Sequence, residues 1–517
     1  MNRNGMGKTL SCLLKGLDVL EAEGKEGIFI EGLSYDSRRV GKGDLFVALR
    51  GTRLDGRAFI RDAVQRGARA VVAESAPENG FTVPWVRVAD SRKALAHLAT
   101  NFFEDPSRDL TLIGVTGTNG KTTTTLLLEG ILRRMGHFVG VVGTLGYCWV
   151  GVRKTAAMTT PESLDLQRLF HEMRVDGVTH VVMEVSSHAL AMGRVEGCSF
   201  KGAVFTNLSQ DHLDFHGDME KYFAAKSLLF SRFLGSPGGE RGTAVVNLDD
   251  HFGKRLAESI RGEVWTYSLH NSKARVRVQE ADFGTGGIRA KLAVPGGIMR
   301  VESPLLGRLN LYNVVAAAST ALSLGIPPEA VPDGLAAIHA VDGRLQRVPV
   351  PEEFGFQVVV DYAHTPDAMD KALGCLREMM TCGRLLAVFG CGGDRDRGKR
   401  PLMGGTAARW ADLVVVTSDN PRSEDPEGII REIEPGVYAE GMPYLEPDRE
   451  SLPARGYSVV PDRREAIELA LSWARPGDVV FIGGKGHETY QIMGNNVLPF
   501  DDKVVVREFL AAHRPAS

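Results

Sequence analysis

The sequence lacks long apolar segments, paired cysteines and an excess of charge of either sign, and each absence argues against a class of protein. No apolar run approaches the roughly 20 residues that a membrane-spanning helix needs. The six cysteines are scattered without a Cys-x-x-Cys pair, which argues against a disulfide scaffold or zinc ribbon and fits a reducing compartment. Lysine and arginine number 61 against 64 aspartates and glutamates, so a net charge of −3 offers no basic field for nucleic acid.

The amino-terminal segment also lacks the features of a secretory signal. It has a basic start but no long apolar core and no small-residue cleavage site, so we predict no signal peptide and a cytoplasmic location. The whole chain has 517 residues, which is too many for one ordinary hydrophobic core. At roughly 100–200 residues per domain, we expect several domains. A hydrophobic content of 43% and a charged content of 24% are typical of globular proteins.

Strand-like runs alternate with helical patterns along most of the chain, which favours βαβ units and parallel sheets. Near the amino terminus, "DLFVALRG" and "ARAVVAES" predict strands on either side of a helix at "GRAFIRDAVQRGA", and "FFEDPSRDL" predicts a linker. "VDGRLQRV", residues 341–348, marks a second boundary. We therefore predict three α/β domains, at residues 1–108, 109–342 and 343–517. The central domain should be P-loop ATPase-like with a mostly parallel sheet, and the last should be a smaller Rossmann-like domain.

The stretch "LIGVTGTNGKTTTT", residues 112–125, has the order of a phosphate-binding loop: apolar strand, glycine-rich turn, Lys-Thr and helix. Gly117 and Gly120 permit a tight turn whose backbone N–H groups point at phosphate oxygens. Lys121 supplies a charge for the phosphates and Thr122 a hydroxyl for Mg²⁺. The strict G-x-x-x-x-G-K-[ST] pattern fails by one place, because Val115 stands where it requires glycine. The alternative is a chance glycine-rich turn before a helix.

Candidate metal ligands follow two later strands. Glu184 ends the apolar run "VVME", and His212 and His216 follow another in "TNLSQDHLDFHG". Carboxylate, imidazole and hydroxyl groups are reasonable ligands for a divalent ion that bridges ATP phosphates. The alternatives are a strand-end cap for Glu184 and a zinc pair or surface histidines for the other two. Lys226 lies in an amphipathic helical pattern, where a lysine usually extends along the surface.

Three loops near the carboxyl terminus are candidates for a ligand-binding site. In "TSDNPRSEDP", Arg422 could clamp a carboxylate with two parallel hydrogen bonds, although an ordinary Asx-Pro turn is the alternative. "GCGGDRDRGKRPLM" and "GGKGHETYQ" are weak patterns alone. All three follow what we interpret as consecutive strands, and ligands gather at the carboxyl ends of strands in open α/β sheets.

Together these motifs resemble those of the Mur ligase superfamily, which includes the folylpolyglutamate synthases. The resemblance extends from about residue 30 to residue 510. The stretch "GVTGTNGKTTT" is similar to the family's ATP loop. These enzymes join an amino acid to a carboxylate through an acyl phosphate. The DNPR stretch is similar to that of members that add meso-diaminopimelate, whereas lysine-adding members lack this arginine. The first domain resembles the family's UDP-binding domain.

The resemblance implies roles for individual residues. The implied ATP-binding residues are Gly117, Thr118, Asn119, Gly120, Lys121, Thr122, Thr123, Asn310, Asn313, Arg344 and Asp361. The implied UDP-muramoyl-peptide-binding residues are Ser37, Thr159, Thr160, Ser186 and Arg194. The implied diaminopimelate-binding residues are Arg395, Asp419, Asn420, Pro421, Arg422, Gly484 and Glu488. The implied catalytic residues are Lys121, Glu184, His212 and Lys226. The implied Mg²⁺ ligands are Thr122, Glu184, His212 and Lys226, the last as a carbamate formed with CO₂. One departure is Met192, where some relatives have glutamine.

The function implied by the resemblance is the ATP-dependent addition of meso-diaminopimelate to a UDP-muramoyl dipeptide in peptidoglycan precursor synthesis. We expect a monomer that uses these substrates with Mg²⁺, without nucleic acid or membrane, and whose carboxyl-terminal domain closes to assemble the site. Three alternatives remain: the same ligation with L-lysine, which Arg422 argues against; a folylpolyglutamate synthase; and a P-loop NTPase switch or motor. The last predicts ATP hydrolysis without any amino acid and offers no role for the three carboxyl-terminal loops.

Overall fold

The computed structural model describes residues 7–24, 26–51, 55–76, 83–235, 242–284, 286–447 and 453–514. Residues 1–6, on which the prediction of no signal peptide partly rests, lie outside this range. Three main sheets follow one another along the chain, each carrying helices, so the predicted α/β class is confirmed. Within the described ranges, no helix has both the length and the apolarity needed to cross a membrane.

The first sheet has the strand order β2-β7-β6-β5-β4, with β4 to β7 parallel and β2 antiparallel at one edge. Its strands and the small β1–β3 pair are β1 (Lys8–Thr9), β2 (Val19–Glu23), β3 (Phe29–Ile30), β4 (Gly32–Ser34), β5 (Asp44–Val47), β6 (Ala70–Ala73) and β7 (Trp85–Val88). The helices are α1 (Leu10–Leu13), α2 (Ile60–Gln65) and α3 (Ser91–Phe103). The helix predicted at residues 56–68 is shorter than expected, because a 3₁₀ turn occupies its first residues, Gly56–Phe59.

The predicted linker at residues 102–110 is partly wrong. Helix α3 continues through Phe103, whose side chain is buried, and ends where Glu104 adopts a left-handed conformation with φ of 63°. A 3₁₀ turn at Pro106–Arg108 follows, with Pro106 and Ser107 buried. The apolar pair that opens the segment packs in the core, so the connection between the first two domains is short and partly buried.

The second sheet has the order β11-β10-β9-β12-β8-β13-β14-β15-β16-β17-β18. Its strands are β8 (Thr111–Thr116), β9 (Val139–Gly143), β10 (Gly146–Trp149), β11 (Val152–Lys154), β12 (His180–Glu184), β13 (Gly202–Phe205), β14 (Thr243–Asn247), β15 (Val264–Ser268), β16 (Val276–Gly284), β17 (Gly287–Val294) and β18 (Gly297–Ser303). The helices are α4 (Lys121–Arg134), α5 (Ser163–Val175), α6 (Ser187–Ala191), α7 (Leu213–His216), α8 (Met219–Ser231), α9 (His251–Ser259), α10 (Gly307–Ser323) and α11 (Val331–Ala336).

The seven neighbouring strands β9, β12, β8, β13, β14, β15 and β16 are parallel, as predicted. Strands β10 and β11 at one edge, and β17 and β18 at the other, add antiparallel pairs. The central strands are buried on both faces, which explains their continuous apolar runs. Their carboxyl ends form one edge, to which β8, β12 and β13 bring the phosphate loop, Glu184 and the histidine segment.

The third sheet has the order β19-β20-β24-β21-β22-β23, parallel apart from the edge strand β19. Its strands and the β25–β26 hairpin are β19 (Gln346–Val348), β20 (Gln357–Asp361), β21 (Leu385–Phe389), β22 (Leu413–Val416), β23 (Gly456–Val459), β24 (Val479–Gly483), β25 (Tyr490–Met493) and β26 (Asn496–Pro499). The helices are α12 (Pro366–Met379), α13 (Lys399–Trp410), α14 (Pro426–Ala439), α15 (Arg463–Trp473) and α16 (Asp502–Ala512).

The three predicted amino-acid loops follow β21, β22 and β24, so they are not consecutive along the chain as we interpreted them, because β23 intervenes. They are nevertheless neighbours in space, since the sheet order places β24, β21 and β22 side by side. Parallel strands deliver their carboxyl ends to one edge, and the three loops therefore meet.

Polar contacts connect the three sheets. Tyr35 of the first domain donates a hydrogen bond to Asp165 of α5 at 2.5 Å. On the other side, the Asp367 carboxylate in the first turn of α12 accepts hydrogen bonds from Asn119 Nδ2 at 3.2 Å and Ser209 Oγ at 2.7 Å. The phosphate loop is thus in direct contact with the third domain.

Candidate active site

The loop between β8 and α4 requires glycine at both ends. Gly117 and Gly120 have φ values of 150° and 86°. A Cβ on Gly117 would overlap the Thr206 hydroxyl, and a Cβ on Gly120 would overlap Asn313 Oδ1. Both the backbone conformation and the available space therefore exclude other residues. The positive end of α4 begins at Lys121, directly after this turn, and favours an anion.

A polar segment after β13 holds the loop in place. Asn207 O accepts from the Thr118 N–H at 2.9 Å, and Asn207 Oδ1 accepts from the Asn119 N–H at 3.0 Å. The Thr206 hydroxyl donates to Asn119 O at 2.6 Å. Lys121 Nζ donates to the carbonyl oxygens of Gly117 and Thr118 at 2.9 and 2.8 Å. Burial lowers the pKa of Lys121, although the nearby Glu184 carboxylate opposes this shift.

Glu184 connects the loop to the neighbouring strand. Its Oε1 accepts from Thr122 Oγ1 at 3.0 Å and from the Thr144 N–H at 2.8 Å, and its Oε2 accepts from Thr144 Oγ1 at 3.1 Å. The carboxylate is 1% exposed. Because Thr122 lies in the first turn of α4 and Glu184 ends β12, the fold brings together two oxygen donors that are far apart in sequence.

His212 lies in a group of aromatic rings beside this site. Its ring centroid is 4.8 Å from that of His188 and 6.3 Å from that of Tyr222, and its Nε2 is 3.3 Å from Asp211 Oδ2. Burial lowers the pKa of His212 to about 4, so the imidazole is neutral and can act as a ligand. His216 bonds instead to Ser187 Oγ at 2.9 Å.

Lys226 is only 1% exposed, so it is not the surface lysine that its sequence context alone favours. Its Nζ donates to Gly117 O at 2.9 Å and lies 4.6 Å from the centroid of the Tyr222 ring. Burial, and secondarily the charge of Lys121, lowers its pKa well below 10.5. A lowered pKa favours the neutral amine, which is the form that reacts with CO₂.

The four predicted Mg²⁺ ligands thus lie around one loop, although their mutual contacts differ. Thr122 and Glu184 touch directly, Lys226 contacts the loop backbone, and His212 reaches Lys226 through the Tyr222 ring. Across the described ranges, the structure contains no group of three or more His, Cys, Asp or Glu side chains suited to a metal ion. Besides the Thr122 hydroxyl and the Lys226 amine, the predicted set has one carboxylate, that of Glu184, and one imidazole, that of His212.

Of the other predicted ATP-binding residues, the asparagine pair of α10 borders the same loop, whereas Arg344 and Asp361 make their contacts within the third domain. Asn313 Nδ2 donates to Asn310 Oδ1 at 3.1 Å, and Asn313 Oδ1 lies against Gly120. The Arg344 guanidinium lies 4.8 Å from the centroid of the Tyr362 ring. The Asp361 carboxylate accepts from the Leu345 N–H at 2.6 Å, and burial raises its pKa. Thr123 is buried in the first turn of α4.

Most of the predicted UDP-muramoyl-peptide residues form one hydrogen-bonded group at the end of β12. Thr160 Oγ1 donates to Glu184 O at 2.9 Å and accepts from the Ser186 N–H at 3.1 Å. Arg194 donates to Thr160 O at 3.2 Å. Thr159 shares a hydrogen bond with Thr144 at 3.1 Å.

Two more residues bear on the predicted UDP-muramoyl-peptide site: Met192, which is close to Arg194, and Ser37 of the first domain. Met192 Sδ accepts a hydrogen bond from Arg194 Nη2 at 3.4 Å, so this departure from some relatives still contacts the arginine. Ser37 is buried in a 3₁₀ turn of the first domain. It lies two residues after Tyr35, which contacts the central domain through Asp165.

The amino-acid loops also meet. Asn420 Nδ2 donates to Glu488 Oε2 at 2.8 Å, and Asn420 Oδ1 accepts from the Ile492 N–H at 2.9 Å. Gln491 Nε2 donates to Asp419 O at 2.8 Å. The β25–β26 hairpin therefore fixes the turn after β22, and one amide bridges that turn to the loop after β24.

Arg422 is held in an unusual backbone conformation, with φ of 53°. Its N–H donates to Ile492 O at 3.0 Å, and its Nη1 donates to Gly393 O at 2.7 Å. Gly484 has a φ of 108°, which favours glycine, and a Cβ at this position would lie 3.3 Å from Asp419 Oδ2. Pro421 stiffens the turn, while the exposed Arg395 donates to Asp394 O at 3.4 Å.

Sequence reasoning missed several residues that the fold brings into these sites. Thr144 directly follows β9, and Asp367 lies in the first turn of α12. Polar residues often bind ligands at the end of a strand or at the start of a helix. Lys485 is fully buried between Gly484 and Glu488. The sequence shows Lys485 as a lysine inside a glycine-rich turn after an apolar strand, which could have marked it as a candidate. Its burial, however, depends on the neighbouring loops.

Comparison with known proteins agrees with this arrangement. Residues 29–103 match the family model "Mur ligase family, catalytic domain", residues 115–321 match "Mur ligase middle domain", and residues 343–486 match "Mur ligase, glutamate ligase domain". The chain therefore belongs to the Mur ligase family.

Its curated relatives include proteins named UDP-N-acetylmuramoyl-L-alanyl-D-glutamate–2,6-diaminopimelate ligase. That of Geobacter metallireducens is 45% identical over 98% of this chain and 99% of its own length. That of Geobacillus kaustophilus is 47% identical over 92% of this chain and 94% of its own length. A solved structure of a ligase of this name is 35% identical, covers 94% of this chain and 96% of its own, and has a TM-score of 0.66. A MurF structure from Acinetobacter baumannii, 19% identical over 98% of this chain and 99% of its own with a TM-score of 0.65, shares the fold.

Proposed function

We propose that this protein is an ATP-dependent ligase that adds meso-2,6-diaminopimelate to the D-glutamate carboxylate of UDP-N-acetylmuramoyl-L-alanyl-D-glutamate. This reaction makes a peptidoglycan precursor. The names of relatives at about 45% identity over nearly the whole chain support the assignment. The observation that carries it is the joint presence of a phosphate loop and a pocket with the DNPR turn at connected sheet edges.

The segment from β20 to α12 connects the two sites. Gly484 of the amino-acid pocket donates its N–H to Asp361 O at 3.1 Å, at the end of β20. Helix α12 follows β20, and its Asp367 accepts a hydrogen bond from Asn119 of the phosphate loop. An acyl group activated at one site can therefore meet an amine held at the other, provided that the two domains position them.

The proposed chemistry has two steps and uses no protein nucleophile. The D-glutamate carboxylate attacks the γ-phosphate of ATP, so that an acyl phosphate forms and ADP leaves. The neutral amine of diaminopimelate then attacks the acyl carbon, the nitrogen releases a proton to water, and the tetrahedral intermediate collapses to an amide and inorganic phosphate. Lys121 and the N–H groups at the start of α4 would stabilise the charge on the phosphate oxygens. For this, Lys121 must exchange its bonds to Gly117 and Thr118 for bonds to phosphate.

The donor set around Glu184 fits Mg²⁺. Thr122 and Glu184 supply hydroxyl and carboxylate oxygens, the ligands that Mg²⁺ prefers, and the neutral His212 imidazole can complete the set. When bound, Mg²⁺ would neutralise charge on the phosphates. Lys226 would join as a carbamate: its neutral amine forms an N–C bond with CO₂ and releases a proton to water. The burial and lowered pKa of this amine support that assignment.

The remaining assignments extend this proposal. Thr159, Thr160, Ser186, Arg194 and Ser37 would bind the UDP-muramoyl peptide, and the asparagine pair of α10 would border the nucleotide. We also propose that the enzyme works as a monomer. We further propose a cytoplasmic location, which the six free cysteines support because thiols stay reduced there. Closure of the third domain would assemble the site, and equal compactness in solution scattering with and without ATP analogue and dipeptide would contradict this.

The decisive experiment measures phosphate release and product mass with ATP, Mg²⁺ and the UDP-muramoyl dipeptide. The acceptors compared are meso-diaminopimelate, L-lysine and D-glutamate. We expect a product heavier by one diaminopimelate residue, with little or no lysine product. A preference for lysine would preserve the ligase assignment but overturn the role of Arg422. Rapid ATP turnover without ligation to any acceptor would instead favour an NTPase.

A further inference from the structure

Lys485 is a buried lysine whose hydrogen-bond and charge partners belong to the amino-acid pocket, and its Nζ also lies 5.6 Å from the centroid of the Tyr490 ring. Its side chain is fully inaccessible to solvent. Its Nζ is 3.3 Å from Asn420 Oδ1, 3.3 Å from Glu488 Oε2 and 3.7 Å from Asp419 Oδ1. Burying an ammonium group costs several kcal/mol unless charges and hydrogen bonds compensate for it. The cluster of Lys485, Asp419, Asn420 and Glu488 provides that compensation.

The hydrogen bonds within this cluster orient the Glu488 carboxylate. Both Lys485 Nζ and Asn420 Nδ2 donate to the same oxygen, Oε2. In the described part of the chain, no hydrogen bond to the other oxygen, Oε1, is found. One side of the carboxylate is therefore held by the protein, and the other remains free for a ligand.

The charges of the cluster match one ammonium group of a ligand. Asp419 and Glu488 contribute two carboxylates, and Lys485 neutralises one of these charges. Asp419 Oδ1 is buried without a hydrogen-bond donor, so the Lys485 ammonium at 3.7 Å is its nearby compensating charge. Arg463 is also close, but its guanidinium binds Asp502 at 2.7 and 2.8 Å. Without Lys485, two carboxylates would share a buried site with less compensation, which is unfavourable.

We propose that Lys485 is a positioning residue that orients Glu488 to receive the ammonium group of the distal amino-acid head of the substrate. This inference rests on the proposed function and extends it to a residue that our sequence analysis left without a role. Since Lys485 is buried, it acts through Glu488 rather than by touching the substrate. Arg422, in contrast, would recognise the carboxylate of the same head, so the pocket recognises the two groups separately.

The test compares three acceptors that differ in the distal head. meso-Diaminopimelate carries both groups, 2-aminopimelate lacks the distal ammonium, and L-lysine lacks the distal carboxylate. In Lys485→Met, we expect the ratio of kcat/KM for diaminopimelate over 2-aminopimelate to fall by about tenfold or more. The ratio for diaminopimelate over lysine should change by less than about threefold. The KM for diaminopimelate should rise, while the KM values for ATP and the dipeptide stay near those of the wild type.

Two further variants distinguish positioning from a general loss of structure. Lys503→Met removes a lysine of the same domain that pairs with Asp342 at 3.4 Å, outside the pocket, and should leave both ratios unchanged. In a Glu488→Gln background, Lys485→Met should have little further effect on the ammonium ratio, because the two residues act together. Should Lys485→Met fail to fold in thermal unfolding measurements, Lys485→Gln removes the same charge and should lower the same ratio.

Several results would overturn the inference. Folded Lys485→Met or Lys485→Gln could keep the wild-type ammonium ratio, or could change both ratios equally. Additive effects with Glu488→Gln would also contradict a role exerted through that carboxylate. These results differ from a failure of the proposed function, in which the wild-type protein would not ligate diaminopimelate at all.

Discussion

Replacing Arg422 with alanine should remove the preference for diaminopimelate over lysine. The turn holds Arg422 through its backbone N–H bond to Ile492 O at 3.0 Å, which alanine can still make. Within the part of the chain that the structure describes, the guanidinium makes one hydrogen bond, from Nη1 to Gly393 O at 2.7 Å. The substitution therefore removes the predicted carboxylate clamp while the main-chain contact remains available.

The expected magnitude follows from the number of charged hydrogen bonds. A clamp on a carboxylate makes two, each worth about 1.5–3 kcal/mol. Part of this stabilisation is lost because the hydrogen bond to Gly393 O competes with the substrate carboxylate for the guanidinium. A further part is lost because the guanidinium is only partly buried, so that solvent weakens the interaction. We expect a net loss of about 2–4 kcal/mol in transition-state stabilisation, or roughly 30- to 1000-fold in kcat/KM for diaminopimelate. L-Lysine, which lacks the second carboxylate, should change little.

The assay measures initial rates of phosphate release with each acceptor and verifies the product by mass. A matched control is Arg397→Ala, which removes an exposed arginine that pairs with Glu424 at 2.8 Å and lies two residues from Arg395. It should leave the ratio of the two acceptors unchanged. The reasoning is wrong if Arg422→Ala keeps the wild-type ratio, or if Arg397→Ala lowers it by the same amount.

The remaining predictions concern other parts of the molecule. Lys226→Met should abolish a carbamate signal in NMR spectra with ¹³C-bicarbonate and lower kcat by at least about 100-fold; full activity of this variant would exclude a role for the carbamate. Asp367→Ala should weaken the interdomain contact with Asn119 and Ser209 by about 1–2 kcal/mol, and scattering of the free enzyme should report a more open average shape; an unchanged scattering profile would contradict this. Burial lowers the pKa of His180 from 6.5 to about 4, so the unfolded chain takes up this proton first as the pH falls. Stability should therefore decrease between pH 6.5 and about 4, by about 1 kcal/mol because His180 is only partly buried, and denaturant unfolding of His180→Gln should lack this component.

Local sequence was sufficient where one short segment supplies the whole function. The phosphate loop could be predicted because its strand, two glycines, Lys121 and the helix are contiguous, and the structure places them in that order. The central parallel strands could be predicted for a similar reason, since burial on both faces requires uninterrupted apolar runs. The antiparallel edges, such as β16 to β18, were not predicted, because their alternating patterns lie among many other polar residues.

What the sequence by itself determined was the class of each segment and the chemistry that its residues could perform. Tertiary structure decided which residues meet: it placed β24 beside β21 and joined the three amino-acid loops despite the intervening β23. It also decided the state of the lysines. The amphipathic pattern around Lys226 favours a surface lysine, and the glycine-rich turn around Lys485 does not predict burial. Both side chains are nevertheless buried, because residues distant along the chain pack over them, and no local pattern encodes that packing.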